Sequence, residues 1–212
     1  MTLADYMKGR YLELPLSGVD AHITEGLRTQ RLTSFVDAQI IATLAGLPEY
    51  NPQQTFLRFP RDLRLDDLKD ANAILIGSVG SNPWAAIGDK SANFRIVYRQ
   101  GRESATIINA NPEPREQASY GSRWNDAAHE TCTLIAFLPN MGGNGRLLLL
   151  QGLDVAGTQA AAETLFYSAA MTPILQRATR PDGSIRFFEV LVHSTSINWN
   201  STDSQVIASR IH

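Results

Sequence analysis

Two short apolar runs, each ending at a glycine that precedes a helical pattern, constrain the fold most. The run Ala73 to Ile76 stops at Gly77, and the run Leu147 to Leu150 is followed by Gly152. Such runs are typical of buried strands, and strands that alternate with helices favour a parallel sheet. We therefore predict an α/β fold: a single three-layer sandwich, Rossmann-like, with a mostly parallel (mixed) sheet of about five to seven strands.

Periodicity and turn residues predict the remaining elements. A helix is expected at about 35–45, capped by Thr33 or Ser34 and ended by Gly46 and Pro48. Further helices are expected at 64–68, 159–168 and 173–178, and from Pro83 onward. Further strands are expected at 55–59, 93–98, 105–109, 131–138 and 185–193. Two hairpins are predicted, one turning at Gln100-Gly101-Arg102 and the other across 139–145. Residues 111–126, with two prolines, one glycine and many polar groups, form a long connection of the kind that often carries function.

Length and composition favour one domain over residues 1–212, with 1–32 as an N-terminal extension packing on it. The chain is 43% hydrophobic and 19% charged, as in ordinary globular proteins. A net charge of -2 without a dense basic run argues against nucleic-acid binding. The polar N-terminus predicts no signal peptide and no membrane insertion by this segment. Cys132, the single cysteine, is expected inside a strand, cannot form an internal disulfide and leaves the compartment open.

The loops after the two glycine-terminated strands are the predicted binding site. Ligands of parallel sheets bind beyond the carboxyl ends of the strands, and helix starts there offer backbone N–H groups to an anion or polar oxygen. We expect the two loops to share a pocket, and Asn82 to cap the helix that begins at Pro83. The alternative is that the glycines only make tight turns and that the polar residues only cap helices. The predicted ligand-binding residues are Asp37, Ser78, Ser81, Asn82, Trp84, Gly152 and Thr158.

Several kinds of chemistry have no support in the sequence. Neither a dinucleotide fingerprint nor a P-loop is present, so no cofactor is expected. The four histidines lack the spacing of metal ligands, so no metal is expected, and no G-x-S-x-G elbow occurs. The enzyme alternative is a hydrolase or group-transfer enzyme acting on a nucleotide-like or glycosyl substrate, with Glu163 or Asp37 as the general base.

One set of motifs resembles a bacterial domain family that is common in acidobacteria. The motifs are Ile74-Leu75-Ile76-Gly77, Ser81-Asn82-Pro83-Trp84, Asn93-Phe94, Leu138-Pro139-Asn140, Gly152, Gly157-Thr158 and Ala161-Ala162-Glu163. The resemblance covers about residues 35–165, and its members often follow a winged-helix DNA-binding domain and a single membrane span. It implies a sensory or partner-binding role for a domain outside the membrane.

Together these observations predict a ligand-sensing or protein-interaction domain of a bacterial signalling or regulatory protein, in preference to an enzyme. The expected partner is a small polar or anionic ligand or another protein, and a homodimer is left open. The expected location is extracytoplasmic if the chain is a segment of a membrane-anchored regulator, and otherwise cytoplasmic.

Overall fold

The structure, a computed structural model, describes residues 3–8, 31–98, 105–124 and 129–212. The α-helices in this part of the chain are α1 (Leu3–Met7), α2 (Phe35–Ala45), α3 (Val155–Tyr167) and α4 (Met171–Ala178), and 3₁₀-helices span Pro60–Asp62, Leu65–Leu68 and Pro83–Lys90. The strands are β1 (Ala73–Ile76), β2 (Phe94–Tyr98), β3 (Ala105–Asn109), β4 (Ser119–Gly121), β5 (Arg123–Trp124), β6 (His129–Pro139), β7 (Arg146–Gly152), β8 (Phe188–Ile197) and β9 (Asn200–Ile211).

The strands form two sheets of different size. In the large sheet the order is β1-β7-β6-β8-β9, and β5 pairs with β6 beyond the end of β7. Strands β1 and β7 are parallel, whereas every other pair in this sheet is antiparallel. The small sheet consists of β2, β3 and β4 and is antiparallel throughout.

The prediction of a Rossmann-like three-layer sandwich with a mostly parallel sheet is wrong. The reason lies in the connections, because a short turn can join only antiparallel neighbours. Residues 140–145 join β6 to β7 in this way, and Asn198 and Trp199 join β8 to β9. The one parallel pair, β1 with β7, is joined by a longer path that includes the whole small sheet.

The large sheet separates two apolar cores. Alternate residues of β6 point to opposite faces, so Leu134 packs with Phe94 of the small sheet, whereas Ile135 packs with residues of α2, α3 and α4. The observed layers are therefore helices, large sheet and small sheet. The small sheet takes the place of the second helical layer that a Rossmann-like fold would have.

Several predicted elements are confirmed. Ser34 caps α2, which ends before Gly46, and Cys132 lies inside β6. The helices near 65–68, 155–167 and 171–178 are present, as are β1, β2, β3, β6 and β7. The predicted turn at 100–102 lies outside the described residues.

The strand predictions contain errors of two kinds. Residues 55–59 form irregular structure instead of a strand. The opposite error is the twelve-residue strand β9, which was not predicted at all. Its sequence alternates weakly between apolar and polar residues, and the turn before it contains no glycine even though Asn198 and Trp199 have φ values of 49° and 67°.

The described part of the N-terminal extension contacts the core. Tyr6 of α1 is buried and meets Trp84 in an edge-on arrangement with ring centroids 6.3 Å apart. Residues 9–30 of the predicted extension lie outside the described residues.

Candidate functional site

The two predicted loops start at the same sheet edge but turn to opposite faces. They follow the parallel strands β1 and β7, and Gly77 N donates to Leu150 O at 2.9 Å. The first loop leads into the 3₁₀-helix Pro83–Lys90, which packs in the core shared with the small sheet, whereas the second leads into α3 on the other face. The large sheet thus lies between the segments that were expected to share a pocket.

Polar side chains of the first loop bond to nearby protein groups. Ser78 Oγ lies 2.5 Å from the Tyr98 hydroxyl, and Ser81 Oγ donates to Ser78 O at 3.2 Å. Asn82 does not cap the following helix, so that prediction is wrong: its Nδ2 donates back to Ile76 O at 3.2 Å. Trp84 is 2% exposed, and its Nε1 donates to Pro60 O at 2.8 Å. These contacts hold the loop against the core.

The second loop is shaped by a close approach between strand and helix. A Cβ on Gly152 would lie 2.1 Å from Thr158 N, so no larger residue fits there. Asp154 caps α3 by accepting from Gly157 N at 2.7 Å, and Thr158 Oγ1 donates to Asp154 O at 3.1 Å. Packing and capping account for Gly152 and Thr158.

The two carboxylates proposed as bases do not meet at the predicted site. Asp37 belongs to the capping box of α2 with Ser34. Glu163 accepts from Gln159 Nε2 at 2.8 Å, and the other amide atom of Gln159 reaches Ser201 N in β9 at 3.4 Å. Because residues four apart share a helix face, Glu163 lies on the side of α3 toward β9, at the opposite edge of the sheet from β1.

The described residues form a concavity of 360 Å³ between β4 and the large sheet, which we call the sheet groove. None of the predicted site residues lines it. Residues of β6, β8 and β9 line it on the large-sheet side, and β4, its preceding loop and β5 contribute the rest. The lining consists of Arg115, Gln117, Tyr120, Gly121, Arg123, Glu130, Cys132, His193 and Ile207.

Charged groups of the sheet groove are only partly paired. Glu130 Oε2 lies 3.6 Å from His193 Nε2 and 3.9 Å from Arg123 Nη1. The Tyr120 hydroxyl accepts from Gln117 N at 2.9 Å, which leaves its proton available to a ligand. The Arg115 side chain forms no hydrogen bond or ion pair with any other described residue.

The thiol in the sheet groove is a poor nucleophile. Burial raises the pKa of Cys132 to about 12, and the nearby carboxylates of Asp154 and Glu130 act in the same direction. Since the thiolate is the reactive form, Cys132 stays protonated and unreactive near neutral pH. The groove therefore offers hydrogen bonds and charge rather than covalent chemistry.

A second polar cluster lies on the helical face of the large sheet, near the start of α3. His129 Nδ1 lies 3.1 Å from Ser196 Oγ, and His129 Nε2 lies 3.5 Å from Asp154 Oδ2. The residue types are those of a serine hydrolase, but Ser196 is only 2% exposed, so a substrate cannot reach its hydroxyl. With the Trp199 ring 5.6 Å from that of His129, the cluster fastens the β8–β9 turn to α3.

Sequence reasoning missed the sheet groove because its lining comes from five separate strands and a loop. One sequence signal did point toward the groove, namely the long polar connection at 111–126, which is of the kind that often carries function. It supplies Arg115, Gln117, Tyr120, Gly121 and Arg123. The same connection also contains two short strands that were not predicted, β4 and β5.

Two further findings concern the described part of the chain. Every helix there is too short or too polar to span a lipid bilayer. No group of three or more histidine, cysteine, aspartate or glutamate side chains is placed there to hold a metal ion.

Comparisons of the chain with protein-family models, with curated proteins and with solved structures gave no match.

Proposed function

We propose that this chain is a binding module for a small polar ligand and that the sheet groove is its site. The observation that carries the proposal is the convergence of Arg115, Arg123, Glu130 and His193 on one concavity, although they lie in different elements. Small-molecule sites are concave, and a few convergent polar groups in them fix the orientation of the ligand. A volume of 360 Å³ is toward the small end of such sites, which are typically about 300–1,000 Å³.

Sensing would follow from the position of the groove between the two sheets. A ligand there would contact β4 of the small sheet and β6, β8 and β9 of the large sheet at once. It would stabilise any arrangement in which these elements are close, relative to one in which they separate. In a signalling protein, that difference in affinity is what a neighbouring domain could respond to.

The proposal is tested by blocking the groove. Ile207 lines the groove and is only partly buried, so the larger side chain of Ile207→Trp should project into the groove and obstruct it. The wild type and the matched control Ile207→Val should both be stabilised by a metabolite from a screened set, by about 2.7 kcal/mol at a hundred times its Kd. The Ile207→Trp variant should show no stabilisation in the same thermal-shift assay.

Two results would contradict this assignment. If Ile207→Trp responds like the wild type while Ser81→Ala loses the response, the ligand binds at the first predicted loop instead. If no metabolite stabilises the wild type, the ligand-binding proposal fails. Of the two functions predicted from the sequence, protein interaction then remains.

A hydrolase or group-transfer enzyme is the second candidate, and the Glu130–His193 pair favours it. A histidine 3.6 Å from a carboxylate in an open groove has the arrangement of a general base with an orienting partner. Nucleotide-like and glycosyl compounds are the substrates to assay. His193→Gln separates the two functions, because an enzyme should lose turnover while keeping substrate binding, whereas a binding module shows no turnover in the wild type either.

A further inference from the structure

The charges of the sheet groove narrow the class of ligand, and this inference rests on the proposed function. The lining contains two guanidinium groups, Arg115 and Arg123, and one carboxylate, Glu130. Glu130 is shared between Arg123 and His193, at 3.9 and 3.6 Å. The charge of Arg115 therefore stays uncompensated among the described residues, and the lining has one more positive than negative charge with histidine neutral.

The backbone of Arg115 is a second, independent observation. Its φ of 78° lies in the left-handed region, which a residue with a long side chain rarely adopts. Glycine or asparagine would fit that conformation at less cost. The arginine side chain makes no bond within the described structure that would offset the strain, and residues held in this way often serve a ligand.

Hydrogen-bond donors prevail over acceptors around the groove. A guanidinium group has donors only, and the Tyr120 hydroxyl has its proton available because its oxygen already accepts from Gln117 N. The lining has one large aliphatic side chain, that of Ile207, so it offers little to an apolar molecule. A cation would have to compete with Arg123 and His193 for Glu130.

We propose that the sheet groove binds a small organic oxyanion, a metabolite bearing a carboxylate or a phosphate, whose charged oxygens are held by Arg115 and Arg123. Guanidinium groups match the geometry of both oxyanions, and their charge-assisted hydrogen bonds are among the stronger ones in proteins. Tyr120 and Gln117 supply further polar contacts beside Arg115.

Matched pairs of probes test the charge requirement. Succinate is compared with succinamide, and glucose 6-phosphate with glucose, by calorimetric titration at low ionic strength, where charge interactions are least screened. The charged member of at least one pair should bind and should shift the amide resonances of Gly121, Glu130 and His193. The pair that responds identifies carboxylate or phosphate as the preferred group.

Substitutions then assign the binding to the arginines. Arg115→Gly removes the guanidinium and suits the left-handed backbone, so it should weaken binding about tenfold to a hundredfold without lowering the melting temperature. Arg115→Asn, which also tolerates this backbone, should behave in the same way. Arg123→Gln should weaken binding too, whereas Arg186→Gln, at an exposed arginine outside the groove, should leave it unchanged.

The outcomes separate this inference from the function on which it rests. If the neutral probes bind as tightly as the charged ones, or if Arg115→Gly and Arg115→Asn bind like the wild type, the oxyanion inference is overturned while a ligand site in the groove survives. If no probe moves a groove amide, the inference is also overturned. The proposed function itself falls only if the wider metabolite screen fails as well.

Discussion

Two polar regions lie between the large and small sheets, and they differ in how completely their groups are hydrogen-bonded. Near the start of β8, Glu189 is fully buried and accepts from Asn93 N at 2.7 Å and from Phe94 N at 2.8 Å, while His212 Nε2 lies 2.9 Å away. Near the end of β8 lies the sheet groove, where Arg115 has no partner among the described residues. Polar groups that are buried and satisfied hold the sheets together, whereas open and unsatisfied ones are available to a ligand.

The largest expected effect is at Glu189. Glu189→Ala would leave two buried backbone N–H groups in β2 and the preceding residue without an acceptor, so it should lower the free energy of unfolding by about 3–5 kcal/mol. Urea denaturation measures this loss. Glu189→Gln keeps one acceptor oxygen and should cost about 1–3 kcal/mol.

Glu130→Ala is the matched test in the groove, and its expected cost is under about 1 kcal/mol because the Glu130 pairs are long and partly exposed. Equal losses at positions 130 and 189 would show that the two regions do not differ in the way described.

The next effect concerns how far low pH reduces the stability that the buried region around Glu189 gives to the fold. Glu116 accepts from Arg210 through both carboxylate oxygens and from Asn109 Nδ2 at 2.9 Å. The Arg210 hydrogen bond is the main cause that lowers the pKa of Glu116 from 4.5 to about 2. A carboxylate with a lower pKa in the folded state stabilises the fold above its unfolded pKa, and this stability is lost as the pH falls from about 4.5 to about 2.

Urea midpoints at pH 7 and pH 3 measure this contribution. We expect the wild type to lose about 1–2 kcal/mol more than Glu116→Gln over this range, a figure reduced from the full pKa difference because solvent screens the pair. An identical loss in both proteins would show that the Glu116–Arg210 pair does not help to hold the sheets together.

Asp89 differs from the groups of both regions. Its carboxylate is half-buried, is not fully hydrogen-bonded and does not line the sheet groove. Burial raises its pKa from 3.8 to about 6, and the charge of Arg95 only partly opposes this shift. Because the folded state holds the proton more tightly, stability falls as the pH rises from about 4 to 6, opposite in sign to Glu116.

Asp89→Asn should therefore raise the free energy of unfolding at pH 7 by about 1 kcal/mol, and the gain should vanish below about pH 4. Thermal denaturation across this pH range checks both parts. If Asp89→Asn is less stable than the wild type at pH 7, the Asp89 carboxylate makes a favourable interaction despite its burial.

Local elements could be predicted from the sequence, but their arrangement could not. The Ser34 cap and Gly46 bound α2 as expected, since both signals act within one turn of helix. The sheet type depended on β9, whose polar sequence gives only a weak periodic signal and whose turn uses Asn198 and Trp199 in left-handed conformations without glycine. Without β9, the last strand had no antiparallel partner in sequence, and a parallel sheet remained the natural inference.

The site was less predictable than the fold, for a physical reason. The prediction used backbone N–H groups at helix starts, which are recognisable in sequence, but the sheet sends the two helix starts to opposite faces. The groove arises from the packing of β4 over β6, β8 and β9, and residues such as Arg115 and His193 are 78 positions apart in sequence. Only the connection at 111–126 gave a signal, through its length and polarity.

The smallest expected change in stability is at Arg115, and it decides to which region that residue belongs. Releasing the left-handed backbone should gain about 1 kcal/mol, while the extra freedom of glycine in the unfolded chain costs a similar amount, so Arg115→Gly should leave the free energy of unfolding within about 0.5 kcal/mol of the wild type. Arg123→Gly, in the extended strand β5, has no strain to release and should lose about 0.5–1 kcal/mol. Urea denaturation of the two variants gives the comparison directly. If Arg115→Gly proves the more destabilised of the two, the Arg115 side chain supports the fold as Glu189 does, and the unused guanidinium on which the oxyanion inference depends is not available to a ligand.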